Sequence, residues 1–159
     1  MIDGTDRTIL MMLQENARVS NAEIARQVEM APSAVLERIR KLEERGVIKA
    51  YAAQLDPRAL GQGLLAYVLV RTECGSWQAE TAAKIAAIPE VQEVHHIAGE
   101  DCFLVKVRTR DTAALGSLLR DRVSAIECVR STRTTIVLDT VKETTEVNLN
   151  EVVGAEEVP

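Results

Sequence analysis

The sequence SNAEIARQVEMAPSAVLERIRKLEERGVI, residues 20–48, has the pattern of two helices joined by a short turn. Ser20 and Glu23 have the spacing of a capping box, which marks the start of the first helix. Pro32 suits the first turn of the second helix, because the N–H that proline lacks would have no partner there. Gly46 is typical of a residue that ends a helix. A single buried stripe is predicted by the apolar residues at helical spacing in the second helix, Val35, Ile39 and Leu42.

The solvent side of this second helix is charged, and an apolar helix around Ile9 and Leu13 precedes the pair. Three small helices that close on one core are typical of a helix-turn-helix domain, whose second motif helix enters the major groove of DNA. A surface helical hairpin with a solvated charged face is the alternative interpretation. The residues predicted to contact double-stranded DNA are Ser20, Asn21, Ser33, Glu37, Arg38, Arg40 and Lys41.

Each of these side chains suits a particular contact. Ser33 lies at a helix N-terminus, where hydroxyl and backbone N–H groups can meet a phosphate. Glu37 can accept a hydrogen bond from cytosine N4, and Arg38 can pair with guanine. Arg40 and Lys41 are expected to hold phosphates, which position a protein without reading sequence. In the alternative role for Arg38, its stem packs on the domain and its guanidinium pairs with a nearby acid.

Composition limits the class of protein. The chain has 159 residues, of which 47% are hydrophobic and 27% charged, as in an ordinary folded protein. No apolar run approaches the roughly 20 residues of a membrane span. The N-terminal sequence lacks the pattern of a signal peptide, so we expect a cytoplasmic location. The three cysteines are odd in number and fit no metal-site spacing, which favours free thiols.

The negative charge is not evenly distributed. Residues 1–62 contain nine Lys and Arg and nine Asp and Glu, whereas residues 63–159 contain ten and fifteen and carry the whole net charge of −5. A neutral DNA-binding part must depend on a few well-placed cations and on repetition in an oligomer. Because phosphate contacts dominate affinity, binding is expected to weaken steeply with salt.

The rest of the chain predicts a second domain. A short strand is expected over 47–53, and the Pro- and Gly-containing stretch 55–63 reads as a hinge. Strands and helices then alternate in the order βαββαβ of a ferredoxin-like domain, over 64–72, 79–88, 91–98, 102–109, 111–123 and 128–140. The predicted fold class is therefore α+β, an N-terminal helix-turn-helix (winged-helix-like) domain followed by a C-terminal ferredoxin-like domain. The predicted boundaries are 1–50 for the DNA-binding domain, 51–63 for the strand and hinge linker, 64–142 for the ferredoxin-like domain and 143–159 for a C-terminal extension, whose acidic end from 152 is expected to be a flexible tail.

Helices are expected to cover one face of the predicted sheet, while the other face is also apolar. Such a face is not left in water, so we expect homodimers that pack sheet against sheet. The duplicated βαβ pattern is visible in Ile88 to Val91 and Ile126 to Val129, which each close a helix and open a strand.

Several segments, in order and at suitable spacing, resemble the leucine-responsive regulator/AsnC family of prokaryotic transcription factors. The segments are Asp6–Leu10, Arg38–Ile48, Pro57–Gly61, Gly99–Val107 and Thr132–Leu138, within a resemblance that covers roughly residues 3–142. It implies a ferredoxin-like domain that forms dimers, often assembled into octamers, and that binds small effectors, usually amino acids, in clefts between subunits.

The resemblance directs attention to the loop from Ala98 to Cys102. Glycine there allows a ligand to approach the backbone, and paired acids can hold an α-ammonium group. Many members of the family carry an acid where this chain has Cys102, so its second acid stands one position earlier, at Asp101. A tight turn with solvated acids is the alternative. The residues predicted to bind an effector are Ala98, Gly99, Glu100, Asp101, Cys102, Thr132 and Thr134, although the two threonines can equally be ordinary strand residues.

The pair His95-His96 is the remaining feature with catalytic or metal-binding chemistry. Adjacent strand residues point to opposite faces, which favours structural roles. Some relatives of the family are sirohaem decarboxylases, which have the same two-domain plan and use histidines near the tetrapyrrole, and this enzyme is the alternative function. An interaction module without DNA binding is a third possibility. The sequence contains no phosphate loop, nucleophile motif or zinc motif, so we expect no enzyme activity, metal or cofactor, and no membrane partner.

Overall fold

The computed structural model describes residues 2–73, 79–99 and 101–150. The chain divides into two compact units. Unit 1 contains the residues up to Gln54 and the described residues from Glu143 onward, and unit 2 contains Leu55–Lys142. The chain therefore leaves unit 1 once, builds unit 2 and returns to unit 1.

Unit 1 is built from α1 (Gly4–Glu15), α2 (Asn21–Gln27) and α3 (Pro32–Glu44). A full capping box forms at the start of α1, where Asp3 accepts from the Asp6 amide and Asp6 accepts from the Asp3 amide. The serine half of the capping box predicted for α2 is confirmed, since the Ser20 side chain accepts a hydrogen bond from the Glu23 amide at 3.2 Å. The core of unit 1 consists of Ile9, Leu10, Ile24, Ala25, Val35, Ile39 and Leu42.

A left-handed backbone conformation follows two of these helices, α2 and α3. Glu29, in the turn between α2 and α3, has a φ of 52°, and Gly46 after α3 has a φ of 70°. Glycine adopts this left-handed conformation without the steric cost of a Cβ, as the predicted helix end requires. The strand predicted over 47–53 is wrong. The structure describes every residue from 45 to 63, and this segment contains no strand. A strand needs a neighbour to satisfy its backbone groups, and apolar alternation alone does not supply one.

Residues 143–150 return to unit 1 and pack against α1. The Gln14 side chain donates to the Val147 carbonyl at 3.1 Å and accepts from the Val147 amide at 2.7 Å. Leu149 packs against the core of unit 1. These two hydrogen bonds have the pattern that residues on neighbouring antiparallel strands form with each other. The Gln14 side chain thus takes the place of a strand partner for Val147. The acidic tail from 152 lies outside the described residues.

Unit 2 contains β1 (Leu64–Thr72), α4 (Ala79–Ala86), β2 (Val91–His96), β3 (Phe103–Thr109), α5 (Thr112–Leu118) and β4 (Val129–Ile136). The strands form one antiparallel sheet in the order β2-β3-β1-β4. This element order and this sheet confirm the predicted ferredoxin-like βαββαβ arrangement. The helix predicted over 111–123 continues after α5 as a π-helical turn, Leu119–Val123, and the last strand ends at Ile136 instead of Thr140.

One face of the sheet forms the core of unit 2. Ala66, Val68 and Val70 of β1 are buried there, with Phe103, Val105 and Val107 of β3 and with α4 and α5 residues such as Ile85 and Leu115. Alternation places Leu65, Tyr67 and Leu69 on the opposite face. That outer face is apolar only in part, because Lys106 lies beside Tyr67 in the sheet register. None of the described helices is long and apolar enough to cross a membrane.

The cysteines differ in state. Cys102 is a free, half-buried thiol, as predicted. Cys128 is disulfide-bonded, so the prediction of a free thiol is wrong for this residue. Cys128 directly precedes β4, and its carbonyl accepts a hydrogen bond from the Glu73 amide at 3.0 Å. The end of β1 and the start of β4 are thus adjacent, which spacing along the chain does not reveal.

Candidate nucleic-acid interface and effector site

The outer face of α3 is polar and exposed. Val35, Ile39 and Leu42 turn into the core, and their burial leaves Ser33, Glu37, Arg40 and Lys41 facing solvent. We call these last four residues the α3 outer face. Arg40 pairs with Glu44 at 3.0 Å and Lys41 approaches Glu37 at 3.8 Å. Exposed pairs at this spacing contribute only about 0.3–0.5 kcal/mol, so a nucleic acid can displace them at little cost.

Arg38 has a different environment from the α3 outer face. Its Nη1 donates to Asp3 Oδ2 and to Asp6 Oδ1, both at 2.7 Å. The Arg38 side chain is 32% exposed, and the Asp6 side chain is only 9% exposed. The arginine therefore joins α3 to the capping box of α1, which is the contact expected for the alternative role of Arg38.

This pairing changes the proton affinity of the groups involved. The pKa of Asp3 is lowered, first because the Asp6 amide donates to its carboxylate and then because Arg38 does. The pKa of Arg38 is raised, first by its hydrogen bond to Asp3 and then by that to Asp6. Each charged form stabilises the other, so the link between α1 and α3 is present throughout the neutral pH range.

The start of α2 contributes smaller groups. Ser20 is exposed, but its hydroxyl oxygen already accepts from the Glu23 amide. Asn21 is the first residue of α2 and is half-buried. Both residues are accessible from solvent, and the hydroxyl proton of Ser20 can still be donated to a phosphate.

Leu36 is a residue that the sequence interpretation did not single out. It lies on α3 beside the α3 outer face and its side chain is 56% exposed. The signal was present in the sequence, because Leu36 falls outside the stripe of Val35, Ile39 and Leu42. Exposed leucines are common on protein surfaces, so exposure alone does not indicate a function. Leu36 becomes a candidate because it lies on α3 beside residues that are predicted to contact DNA.

In unit 2, the predicted effector loop contains an ion pair. Asp101 Oδ2 accepts a hydrogen bond from Arg133 Nη2 of β4 at 2.9 Å, and the Asp101 and Arg133 side chains are 23% and 73% exposed. Gly99 has a φ of 129°, a conformation that favours glycine. Ala98 is exposed, and Glu100 lies outside the described residues. Arg133 was not predicted as a site residue, because only the fold brings it beside the loop.

The other predicted effector residues are placed differently. Cys102 extends the sheet by donating its amide to the Val70 carbonyl at 2.9 Å, and Thr72 Oγ1 donates to its sulfur at 3.1 Å. Thr132 and Thr134 pair with core residues of β1 in the sheet register, so they point away from the face that Arg133 occupies. The structure therefore brings Asp101 together with Arg133, and places the two threonines on the other face of the strand.

The two histidines occupy opposite faces of β2, as predicted. His95 Nε2 lies 3.1 Å from Glu93 Oε2, and the His96 ring lies 5.7 Å from the ring of the buried Phe103. Lys106 donates to Glu93 at 2.9 Å and lowers the pKa of this glutamate, with a smaller contribution from His95. Within the part of the chain that the structure describes, no three His, Cys, Asp or Glu residues are grouped to hold a metal ion.

Two family descriptions match separate parts of the chain. Residues 2–49 match a winged helix-turn-helix DNA-binding family, and residues 65–147 match the Lrp/AsnC ligand binding domain. The HTH-type transcriptional regulator FL11 of Pyrococcus horikoshii is 41% identical over 145 residues, which cover 91% of this chain and 95% of that protein. The leucine-responsive regulatory protein of Escherichia coli K12 is 36% identical, with coverage of 89% and 88%.

Solved structures agree with these relatives. A transcriptional regulator of Neisseria meningitidis in complex with L-methionine has a TM-score of 0.86 at 31% identity and covers 94% of this chain and 98% of its own. A feast or famine regulatory protein of M. tuberculosis complexed with L-methionine has a TM-score of 0.85 at 32% identity, with coverage of 92% and 99%. All of these proteins are regulators, so they give no support to the sirohaem decarboxylase alternative. The order of the two units, both domain matches and the relatives together place the chain in the Lrp/AsnC family of DNA-binding transcriptional regulators.

Proposed function

We propose that this regulator reads DNA with the α3 outer face and changes its assembly or DNA affinity when an amino acid binds to unit 2. The exposed polar face of α3, on a helix whose opposite side is fixed in a core, is the observation that carries the DNA-binding part. Ser33 at the helix start and the cations Arg40 and Lys41 are assigned to phosphates. Glu37 is assigned to cytosine N4.

Arg38 is assigned a positioning role. Its guanidinium already binds two carboxylates, and its hydrogen bonds to Asp3 and Asp6 would have to break before it could pair with guanine. By holding α1 against α3, Arg38 sets the direction in which the α3 outer face points. Ser20 and Asn21 are assigned to backbone contacts from the start of α2.

Gel mobility shift with randomised duplex DNA tests the interface. We expect Arg40→Gln and Lys41→Gln to weaken binding to all sequences and each to reduce the slope of log affinity against log salt by about one. Glu37→Gln should instead change which base is preferred at one position of each half-site. Lys84→Gln is the matched control, because this exposed lysine of α4 lies in unit 2 and pairs with Glu80. Unchanged salt slopes for both α3 variants would remove their cations from the interface.

The Asp101–Arg133 pair supports the effector part. A free amino acid carries an α-ammonium and an α-carboxylate close together, and the pair offers one charge of each sign on adjacent structural elements. A bound amino acid can insert between them, with its ammonium on Asp101 and its carboxylate on Arg133, where a guanidinium can bind it in a bidentate manner. Gly99 and Ala98 leave the backbone open to the ligand.

Calorimetry with a panel of L-amino acids, including L-methionine, tests this assignment. We expect binding by the unmodified chain, and a loss of at least about tenfold in affinity for Asp101→Asn and for Arg133→Ala, since each removes a charge-assisted hydrogen bond. Arg130→Ala is the matched control, because Arg130 lies on the same strand and pairs with Glu73 instead. If both variants bind amino acids as well as the unmodified chain, the effector lies elsewhere.

The assembly is part of the proposal. We infer that the outer face of the sheet, with Tyr67, Leu69 and Leu104, packs against a second copy, and that dimers assemble further to an octamer in the cytoplasm. Repetition of the DNA-binding unit would compensate for the neutral net charge of residues 1–62. Light scattering with and without amino acids measures the mass, and a monomer under all conditions would contradict this inference. No cofactor is expected, so the purified protein should show no Soret band.

A further inference from the structure

Leu36 is an apolar side chain beside the polar residues of the α3 outer face. Its side chain is 56% exposed, whereas Val35, Ile39 and Leu42 of the same helix are 0%, 7% and 1% exposed. Leu36 contributes little to the core of unit 1, so the fold does not explain a large apolar side chain here.

The neighbours of Leu36 are the residues assigned to DNA. Ser33, Glu37 and Arg40 stand at i−3, i+1 and i+4 from it and are all exposed. Residues three and four apart on a helix are adjacent on its surface, so Leu36 lies among these polar groups. It is the fifth residue of the 13-residue α3 and thus belongs to the N-terminal half, from which recognition helices contact base edges.

The chemistry of the major groove identifies what Leu36 can meet. The base edges there present hydrogen-bond donors and acceptors, and the one apolar group among them is the C5-methyl of thymine. Against any other base, the leucine would cover a polar group without replacing its lost hydrogen bond to water. We propose that Leu36 is a specificity-determining residue that selects thymine through its C5-methyl group. This inference rests on the proposed DNA interface.

Glu37 extends the prediction to a two-base preference. It directly follows Leu36, and its carboxylate accepts from cytosine N4 while disfavouring the acceptor-rich edge of guanine. Each half-site bound by one α3 should therefore contain a thymine that Leu36 touches close to a cytosine that Glu37 reads. Selection from random DNA gives the preferred binding motif. We expect the motif to contain both the thymine and the cytosine, and the absence of either base would refute the role of the residue assigned to it.

Replacement of thymine by deoxyuridine isolates the methyl group. Deoxyuridine keeps every hydrogen-bonding group of thymine, so only the apolar contact is lost. In the selected site, each thymine is replaced in turn and binding of the full-length protein is measured by mobility shift. The expected result is a loss of about fourfold per half-site at one thymine position, the factor for one methyl group removed from a buried contact, and no loss at the other positions.

Variants of Leu36 complete the test. Leu36→Ala should bind the thymine site more weakly and no longer distinguish thymine from deoxyuridine, whereas Leu36→Met should retain the distinction because it keeps a long apolar side chain. Leu60→Ala is the control, since Leu60 is 62% exposed but lies outside α3; this variant should behave as the unmodified protein does. Because Leu36 is mostly exposed, its loss should leave the fold intact, which circular dichroism checks.

The outcomes separate this inference from the proposed function. If the protein binds a selected site tightly and every deoxyuridine replacement is silent, the assignment of Leu36 is overturned and the DNA interface stands. The same holds if Leu36→Ala keeps the thymine preference, or if it changes only the mass of the oligomer, which would place Leu36 between protein copies. If the unmodified protein binds no DNA at all, the proposed function and the role of Leu36 both fail.

Discussion

Replacement of Arg38 by alanine should destabilise unit 1. The two hydrogen bonds of Arg38 differ in value, because the Asp3 side chain is 52% exposed and the Asp6 side chain 9%. An exposed ion pair contributes about 0–1 kcal/mol to the free energy of unfolding. A charge-assisted hydrogen bond to a largely buried carboxylate contributes about 1.5–3 kcal/mol. After the change, the Asp3 amide, at 3.4 Å, is the one donor that Asp6 keeps among the described residues.

The expected loss is therefore about 2–3 kcal/mol, or roughly 30- to 150-fold in the unfolding equilibrium of unit 1. Because two units need not unfold together, hydrogen exchange of the α1 and α3 amides is the appropriate assay, with β1 and β3 amides as the internal reference. Arg40→Ala is the matched control, since Arg40 lies on the same helix and pairs only at the surface with Glu44. It should cost less than about 0.5 kcal/mol.

A second substitution checks the cause. Asp6→Asn removes the charge that Arg38 compensates, so the double variant should be more stable than Arg38→Ala alone. The difference from additivity measures the coupling between the two side chains, for which we expect about 1.5–2 kcal/mol. If Arg38→Ala leaves exchange in α1 and α3 unchanged yet abolishes DNA binding, Arg38 contacts DNA directly and the positioning role is refuted.

Other perturbations probe unit 2 and the C-terminal segment. Leu149→Ala should lower the stability of unit 1 by about 1–2 kcal/mol in the same exchange assay, whereas Leu138→Ala, at a side chain 96% exposed, should change it by less than about 0.5 kcal/mol. Lys106 and, to a smaller extent, His95 lower the pKa of Glu93 below the ordinary 4.5. The ionised Glu93 therefore contributes to the stability of unit 2 above pH 4.5, and this contribution is lost as the pH falls through the pKa of Glu93 in the folded protein. In acid denaturation, Glu93→Gln should make the decline of stability with falling pH less steep. Gly99→Ala should cost about 1–3 kcal/mol through backbone strain alone, because among the described residues a Cβ there would meet nothing within 4 Å beyond its chain neighbours. Gly116→Ala, in a helix with equal space, should raise the thermal midpoint.

Local patterns predicted the elements of both units. The stripe of Val35, Ile39 and Leu42 identified α3 and its buried side, and the alternation from Phe103 to Thr109 identified β3. These predictions succeed because a helix or strand that buries one side repeats apolar residues at a fixed spacing. That spacing can be read from residues close together in the sequence. The strand predicted over 47–53 failed for the converse reason, since pairing depends on a partner that periodicity does not specify.

Contacts between distant residues were not predictable in this way. Arg38 is 32 residues from Asp6, and Asp101 is 32 residues from Arg133. Composition shows that acids and bases are numerous, but not which of them meet. The sequence therefore predicted the face of α3 as a DNA-binding surface and left the role of Arg38 open between guanine and a nearby acid. Packing of α1 against α3 favours the acid.

The return of the chain to unit 1 determines which residues a DNA-binding fragment must contain. Unit 2 is joined to unit 1 at both of its ends, through the segment after Gln54 and through the segment before Glu143. The residues that follow the second connection are held at Gln14 by two hydrogen bonds of Val147, of 3.1 Å and 2.7 Å, and at the unit 1 core by Leu149. A fragment ending near residue 50 would lack Leu149 and the partner of Gln14, so measurements of DNA binding are best made on the whole chain.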